Sequence, residues 1–196
     1  MSIKTWPPSS TYIPPGVIAR SDLTEDALGV YGIPINRLMA ADGAVLAIAE
    51  SAGDHYLSLS ANVATLLGEI ANNNTKTDIS YFQFILPPEY VSAGDVSIRV
   101  KHQATGAGTL GATKTIDIAV YEQNGNGAVG SDLSTTTAAQ TVTKSVWATS
   151  DFVITATDLV AGDILVVKIT TAIQESAIAN IQVQVDGIAV LLDVKG

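Results

Sequence analysis

The chain contains no cysteine, which excludes disulfide bonds, thiolate metal sites and a cysteine nucleophile. Its stability therefore has to come from packing, hydrogen bonds or assembly with other subunits. Long hydrophobic runs are also missing, since none approaches the ~20 consecutive apolar residues that a membrane-spanning helix needs. The first eight residues, Met-Ser-Ile-Lys-Thr-Trp-Pro-Pro, lack the apolar core and small-residue cleavage site of a signal peptide. We therefore expect synthesis in a cytoplasm without a signal peptide, and no membrane contact.

Positive charge is scarce. The sequence has 10 lysines and arginines against 19 acidic residues, a formal net charge of −9, and the acids are dispersed along the chain. Binding to phosphates needs a concentrated basic surface, so this composition argues against a nucleic-acid partner. It permits cation binding without indicating a site for it.

What the sequence does contain is a repeated turn. Ala-Gly-Asp occurs at residues 52–54, 93–95 and 161–163, and each copy precedes a run in which apolar and polar residues alternate. Small and acidic turn residues followed by a period of two are typical of half-buried strands. With 196 residues the chain suits one all-β domain, which we predict to be a jelly-roll-like β-sandwich built from similar hairpins.

The middle of the chain gives the clearest strand pattern. Phe82, Phe84 and Leu86 share one face of a predicted strand, and the stretch 84–95 aligns without a gap on 152–163. This internal repeat indicates either duplication or convergence on common turn chemistry. Other inward positions follow the same alternation, namely Val96, Ile98, Val100, Ile116, Ile118, Val120, Phe152 and Ile154.

Three segments are less regular. Residues 21–28 begin with a good helix N-cap and carry acids in the first turn, which predicts one or two helical turns ended by Gly29. The segment Val63 to Ile70 fits a helix or a short strand. In the last segment the inward parity changes at Asp186-Gly187, so a tight hairpin or a bulge is expected there. The fold should contain at most one or two short helices.

Residues 1–20 differ from the rest and are predicted to form an extended arm, followed by a single sandwich domain at 21–196. Four prolines in this segment favour an irregular or polyproline-like chain. Trp6, Tyr12 and Ile13 lie close together in it, and such residues are seldom found in a purely disordered tail. The arm either docks on a neighbouring subunit, with these three as anchors, or folds back on its own sandwich.

No motif indicates catalysis, so we expect a protein that is not an enzyme and has no cofactor or metal. Two Gly-x-Gly-x-x-Gly matches, at 106–111 and 125–130, are interpreted as loops between strands rather than dinucleotide sites. Asn124, Asn126 and Asp132 carry too little charge to predict a calcium site. His55 and His102 have no ligand partner at helical or strand spacing, and we expect both at the surface. A pair of carboxylates for glycoside hydrolysis could still converge from separate strands, but the sequence favours no particular pair.

Four segments together resemble a family of tailed-bacteriophage virion proteins. They are residues 20–28 with 31–34, 82–90, 120–121 with 127–133, and 191–196. The resemblance implies a sandwich subunit of a phage particle and transfers no catalytic residues. It implies a capsid decoration or cement protein on the exterior of the virion, partnered by the major capsid protein and by copies of itself in a homotrimer.

The alternative is a carbohydrate- or receptor-binding module of a tail fibre or a cell surface. Sugar sites usually present exposed aromatic rings, and only 6% of this chain is aromatic. A glycan array distinguishes the two hypotheses.

Overall fold

A computed structural model describes residues 27–48, 50, 52–60, 63–123, 128–136, 138–177 and 179–195. The predicted arm with Trp6, Tyr12 and Ile13, and residues 21–26 of the predicted helix, lie outside this range.

The described residues form strands and one turn of 3-10 helix at Ile35–Arg37, which confirms the all-β prediction. None of them forms a helix with the length and apolar character needed to cross a membrane. The strands are β1 Ala27–Ile33, β2 Tyr56–Ser60, β3 Val63–Leu67, β4 Thr75–Ile85, β5 Val96–Gly106, β6 Leu110–Gln123, β7 Val129–Asp132, β8 Gln140–Thr141, β9 Ala148–Ile154, β10 Ile164–Glu175 and β11 Ile181–Val194.

The strands pack as a β-sandwich of two antiparallel sheets. The first sheet has the order β2-β3-β11-β5-β9, and β1 pairs with the C-terminal half of β11. The second sheet has the order β4-β10-β6-β7, and β8 also pairs with β6. Strand β11 is central to the first sheet, because β5 lies along one edge of it and β1 and β3 share the other.

The core lies between the sheets and follows the predicted alternation. Along β10 every second side chain is buried, and Leu165, Val167 and Ile169 are each fully enclosed. The largest apolar side chains of this core are Phe82, which lies beside Val167 on the neighbouring strand β4, and Phe152, which lies on β9 of the opposite sheet. Full burial of such a side chain contributes about 1.5–3 kcal/mol, so the alternating pattern accounts for most of the drive to form two facing sheets.

Each Ala-Gly-Asp turn does precede a strand, but none of the three lies in a predicted hairpin. At the first copy, β1 before it pairs with β11, whereas β2 after it pairs with β3. The links from β4 to β5 and from β9 to β10 cross from one sheet to the other, and they pack side by side. Leu86 N donates to Asp163 O at 2.9 Å, Gly162 N donates to Leu86 O at 2.9 Å, and Ala93 N donates to Leu159 O at 3.0 Å. Turn chemistry encodes where a strand starts, whereas the sheet that the strand joins is decided by long-range pairing.

The structure resolves the secondary structure of the three less regular segments where they are described. Ala27 and Leu28 belong to β1 rather than to a helix that ends at Gly29, because pairing with β11 overrides the local preference. The segment from Val63 is a strand. At Asp186 the register of β11 against β5 shifts while the strand continues, so the parity change is a bulge and not a hairpin.

Candidate functional site

A row of polar side chains lies on the outward face of the first sheet. Before the bulge, β11 alternates buried valines with outward Gln182 and Gln184. Their register partners on β5 are Thr105 and Gln103. The amides pair across the strands, since Gln103 Nε2 donates to Gln184 Oε1 at 2.8 Å. Alternation thus places hydrogen-bonding groups on one face of adjacent strands.

Two ion pairs continue this row past the bulge. Lys101 Nζ donates to Asp186 Oδ2 at 2.6 Å. Arg99 makes a bidentate pair with Asp151, with Nε and Nη2 each 2.7 Å from a carboxylate oxygen. The hydrogen bond from Arg99 is the main cause that lowers the pKa of Asp151. The Arg99–Asp151 pair stays ionised at neutral pH, and the two pairs together place two cations beside two carboxylates with no local excess of either sign.

The bulge shapes a groove between these charges. Its volume is about 260 Å³, and it is lined by Arg99, Lys101, Thr149, Gly187, Ile188 and Ala189. Gly187 and Ala189 give it a low floor, because neither carries a side chain beyond Cβ. Asp186 and Gly187 both oppose the single residue Lys101, which is the extra residue that defines a bulge.

Trp147 stands beside this groove, immediately before β9. It is 39% exposed, and Lys101 Nζ lies 4.8 Å from the centre of its ring. A cation at this distance from an indole face is attracted by the ring quadrupole. The ammonium therefore bridges the indole and the Asp186 carboxylate and fixes the position of a large exposed ring.

Tyr56 provides a second aromatic ring on the same face. Its hydroxyl donates to Gln182 Oε1 at 3.0 Å, and burial is the main cause that raises its pKa. Gln182 is four residues from Asp186, roughly 13 Å at the rise of a strand. A smaller groove of about 120 Å³ adjoins Gln182 and Thr105. The face therefore carries two aromatic rings separated by amides and ion pairs.

The outward face of the second sheet also carries aromatic rings. Tyr81 and Tyr121 lie on β4 and β6, on either side of Lys168 and Val166 of β10. The amides of Gln83 and Gln123 meet there at 3.2 Å. The grooves found at the polar row of the first sheet, together with the exposed indole, make that row the stronger candidate.

The prediction that both histidines lie at the surface is wrong. His55 is 1% exposed and His102 is fully buried. His102 continues the inward positions Val96, Ile98 and Val100 along β5, and its Nε2 lies 2.9 Å from Ser150 Oγ. The alternation of buried and exposed positions along β5 is the sequence signal that identifies His102 as a core residue.

The described residues hold no group of three or more histidine, aspartate and glutamate side chains that could bind a metal ion. Asp132, considered above for calcium, accepts backbone hydrogen bonds from Val120 and Ser134 at 2.9 Å each through Oδ1. Its carboxylate thus organises the chain around β7. Asn124 and Asn126 lie outside the described residues.

The candidate residues on the first sheet were not predicted from the sequence. The alternation Gln182-Val-Gln-Val-Asp186 shows which residues point outward, but not that β5 and Trp147 lie beside them. Long-range register supplies that information.

Neither a protein-family model nor a curated protein matches the sequence. Among solved structures, one similar chain is the CBM22-1 xylan-binding domain from Paenibacillus barcinonensis Xyn10C (17% identity, TM-score 0.33, covering 76% of this chain and 99% of that one). Another is the CBM27-1 module of Caldicellulosiruptor saccharolyticus in complex with mannohexaose (11% identity, TM-score 0.38, covering 84% and 97%). A third is the K1 cleaved adhesin domain of Lys-gingipain from Porphyromonas gingivalis W83 (12% identity, TM-score 0.37, covering 84% and 97%). Likenesses at these TM-scores establish neither a family nor a ligand for this chain.

Proposed function

We propose that this protein is a recognition module that binds a neutral carbohydrate on the outward face of its first sheet. The observation that carries the proposal is the exposed Trp147 ring beside a groove lined by Arg99 and Lys101. Two of the similar structures are described as binding xylan and mannohexaose, but with TM-scores below 0.5 the proposal rests on the surface itself.

The chemistry of the face suits a sugar. The C–H groups on one side of a pyranose ring pack against an aromatic ring, and the hydroxyls at its edge need donors and acceptors in fixed positions. Trp147 supplies the ring, while Arg99, Asp151 and Gln184 supply donors and acceptors already oriented by their partners. Polar groups held in place before binding lose little conformational freedom when the ligand arrives.

The charges favour a neutral sugar over an acidic one. Arg99 and Lys101 are each paired with a carboxylate, so neither cation of the described groove lining is free to bind a sulfate or a uronate. The net charge of −9 would also repel a polyanionic chain. The distance between Gln182 and Asp186 along β11 accommodates an oligosaccharide better than a single sugar.

A glycan array that includes neutral, uronate-containing and sulfated oligosaccharides tests this proposal, followed by calorimetric titration of the best neutral hit. Trp147→Ala should weaken binding about tenfold or more, which corresponds to roughly 1.4 kcal/mol. The matched control is Tyr121→Ala on the second sheet, which should bind normally. Equal losses in both variants, or hits confined to acidic glycans, would contradict the proposal.

The virion assignment stays a prediction, and one observation favours a protein partner. Leu28 and Val30 are each 63% exposed on β1, and Leu28 and Val153 line a groove of about 170 Å³ at the far end of the same sheet. Exposed apolar side chains grouped in this way often mark a surface that binds another protein. The partners that the family resemblance implies are the major capsid protein and a second copy of this chain.

A variant beside this apolar groove, at the register partner of its lining residue Leu191, separates the two functions. Val30→Lys should reduce binding to phage particles or self-association, measured by co-sedimentation and light scattering, and should leave glycan affinity unchanged. Loss of glycan binding in Val30→Lys would instead place the sugar at this end of the sheet. Deleting residues 1–18 should leave a folded domain, and full retention of particle binding would refute the role predicted for Trp6, Tyr12 and Ile13.

A further inference from the structure

Four polar side chains lie together in the interior of the sandwich, away from the candidate face. His55, Asp78, Ser80 and Thr171 are each at most 1% exposed. His55 Nε2 lies 2.9 Å from Thr171 Oγ1, and Thr171 is the register partner of Asp78. His55 Nδ1, both carboxylate oxygens of Asp78 and Ser80 Oγ have no hydrogen-bond partner among the described residues. Buried polar atoms are normally paired, so this set requires a physical explanation.

Gly68 closes the cluster from the side of β3. A Cβ at this position would lie 2.7 Å from Asp78 Oδ2 and 3.4 Å from Thr171 Oγ1. The backbone therefore packs directly on the carboxyl group. His55 Nε2 faces Thr171 rather than Ser80, and all four side chains are enclosed, so the cluster lacks the arrangement of a nucleophile and base at a cleft.

The cluster fastens the segment 52–56 to the second sheet. Backbone hydrogen bonds join His55 N to Ile79 O at 3.2 Å and Ile79 N to Gly53 O at 3.0 Å. Glu69 Oε2 accepts from Gly53 N at 3.1 Å, and the contact between His55 and Thr171 adds a side-chain link. We call this set of contacts the latch. It ties the start of β2, in the first sheet, to β4 and β10 in the second.

The two ionisable groups of the buried cluster, Asp78 and His55, have opposite proton preferences. Burial raises the pKa of Asp78 to about 7, and the carboxylates of Glu69 and Glu50 add to this, while the backbone of Glu69 and the ammonium of Lys76 oppose it. Burial lowers the pKa of His55 to about 3, although its backbone contact with Ile79 acts in the other direction.

The charged groups around the cluster are themselves engaged. Glu69 Oε1 accepts from Lys76 Nζ at 2.7 Å, and this hydrogen bond helps to lower the pKa of Glu69 despite its burial. Tyr56 lies on the outward face with its hydroxyl on Gln182, and burial, with a smaller contribution from the charge of Asp78, raises its pKa, which keeps it neutral. Between about pH 4 and 6.5, therefore, both Asp78 and His55 are neutral in the closed latch, although in the open chain both would be charged.

We propose that Asp78 and His55 are a compensated pair whose opposite proton linkages keep the latch equally stable across mildly acidic pH. The stabilisation linked to Asp78 is fully present below its unfolded pKa of 3.8 and is lost as pH rises through about 7. The stabilisation linked to His55 is present above its unfolded pKa of 6.5 and is lost as pH falls towards about 3. Over the shared window one contribution falls as the other rises.

In a variant that lacks one of the two groups, the stability of the latch should change with pH, because the contribution of the remaining group is no longer offset. In Asp78→Asn, opening of the latch should become about tenfold rarer per pH unit as pH rises from about 4 to 6.5. In His55→Gln, opening should become about tenfold more frequent per pH unit as pH rises from about 4 to 7. The wild type should change little between about pH 4 and 6.5.

The readout is hydrogen exchange at the amides of Gly53, His55 and Ile79, corrected for intrinsic rates, with urea unfolding measured in parallel over the same pH range. The control is Asp117→Asn on the outward face of β6, which should keep the wild-type profile. The compensation would be overturned if latch opening changed with pH in the same direction in both variants. It would also be overturned if latch opening in Asp78→Asn depended on pH as it does in the wild type.

If either variant fails to fold, nuclear magnetic resonance of the wild type decides the question. The Asp78 carboxyl carbon should titrate near pH 7, and His55 should stay neutral down to about pH 4. A carboxylate ionised at pH 5, or an imidazolium at that pH, would refute the proposal.

Discussion

The ammonium group of Lys101 lies 4.8 Å from the centre of the Trp147 ring. The same nitrogen donates to Asp186 at 2.6 Å, so one lysine positions both an aromatic ring and a carboxylate of the candidate face. Since all three groups are partly exposed, the arrangement should matter more for recognition than for stability.

Lys101→Met tests this separation. The variant keeps the apolar part of the side chain and removes the charge, and the free energy of unfolding should fall by about 1 kcal/mol or less. Urea denaturation followed by circular dichroism measures the change, with Lys168→Met on the second sheet as the control. A loss of more than about 2 kcal/mol specific to Lys101 would mean that the contact supports the fold itself.

Two phenylalanines of β4 should differ in their contribution to stability. Phe82 is fully buried, so Phe82→Ala should cost about 3–5 kcal/mol. Phe84 shares its face but is only partly buried, and it packs edge-on against Tyr31 with ring centres 5.7 Å apart. Phe84→Ala should therefore cost clearly less. Denaturant midpoints of the two variants give the comparison, and the reverse order would show that the end of β4 is packed differently.

Two glycines with positive φ should respond differently to alanine. Gly162 has φ +97° and open space around it, so Gly162→Ala should cost only the backbone strain, about 1–2 kcal/mol. Gly106 has φ +124°, and a Cβ there would clash with the carbonyl oxygen of Asn180. Gly106→Ala should be considerably more destabilising in thermal unfolding. Similar losses at both positions would show that the β5–β6 turn relaxes freely.

His102 should contribute to acid sensitivity. Burial lowers its pKa, so the unfolded chain binds a proton that the folded protein resists. Its contribution to stability is complete above its unfolded pKa of 6.5 and declines as pH falls below that value. His102→Gln should therefore flatten the acid side of a plot of unfolding free energy against pH. An unchanged slope would indicate that His102 is protonated in the fold.

The core of this fold could be predicted from alternation, because a period of two assigns each side chain to a face without knowledge of its partners. Phe82, Ile98 and Val120 are buried as expected. The surface prediction for His102 fails because its place in that same alternation, and not the polarity of its side chain, decides its burial. Local pattern therefore carries more information about burial than polarity does.

The candidate face could not be predicted in the same way. Trp147 precedes β9 and meets Lys101 of β5 only because the two strands pair, and the groove beside them depends on a bulge in β11. The three Ala-Gly-Asp turns also differ: Gly53 and Gly162 have positive φ, whereas in the middle copy Ala93 does, with φ 59°. Identical tripeptides adopt different conformations where the links they belong to have different neighbours.

The pairing of β1 with β11 also determines how the domain would respond to force. Ala27 is the register partner of Val194, so the two ends of the described chain leave the sandwich side by side. A pull on both ends would load the hydrogen bonds of this antiparallel pair one after another, from the ends inward, instead of all at once. Such a pair unzips under a small load, whereas a domain tethered through one end alone would keep β1 in place.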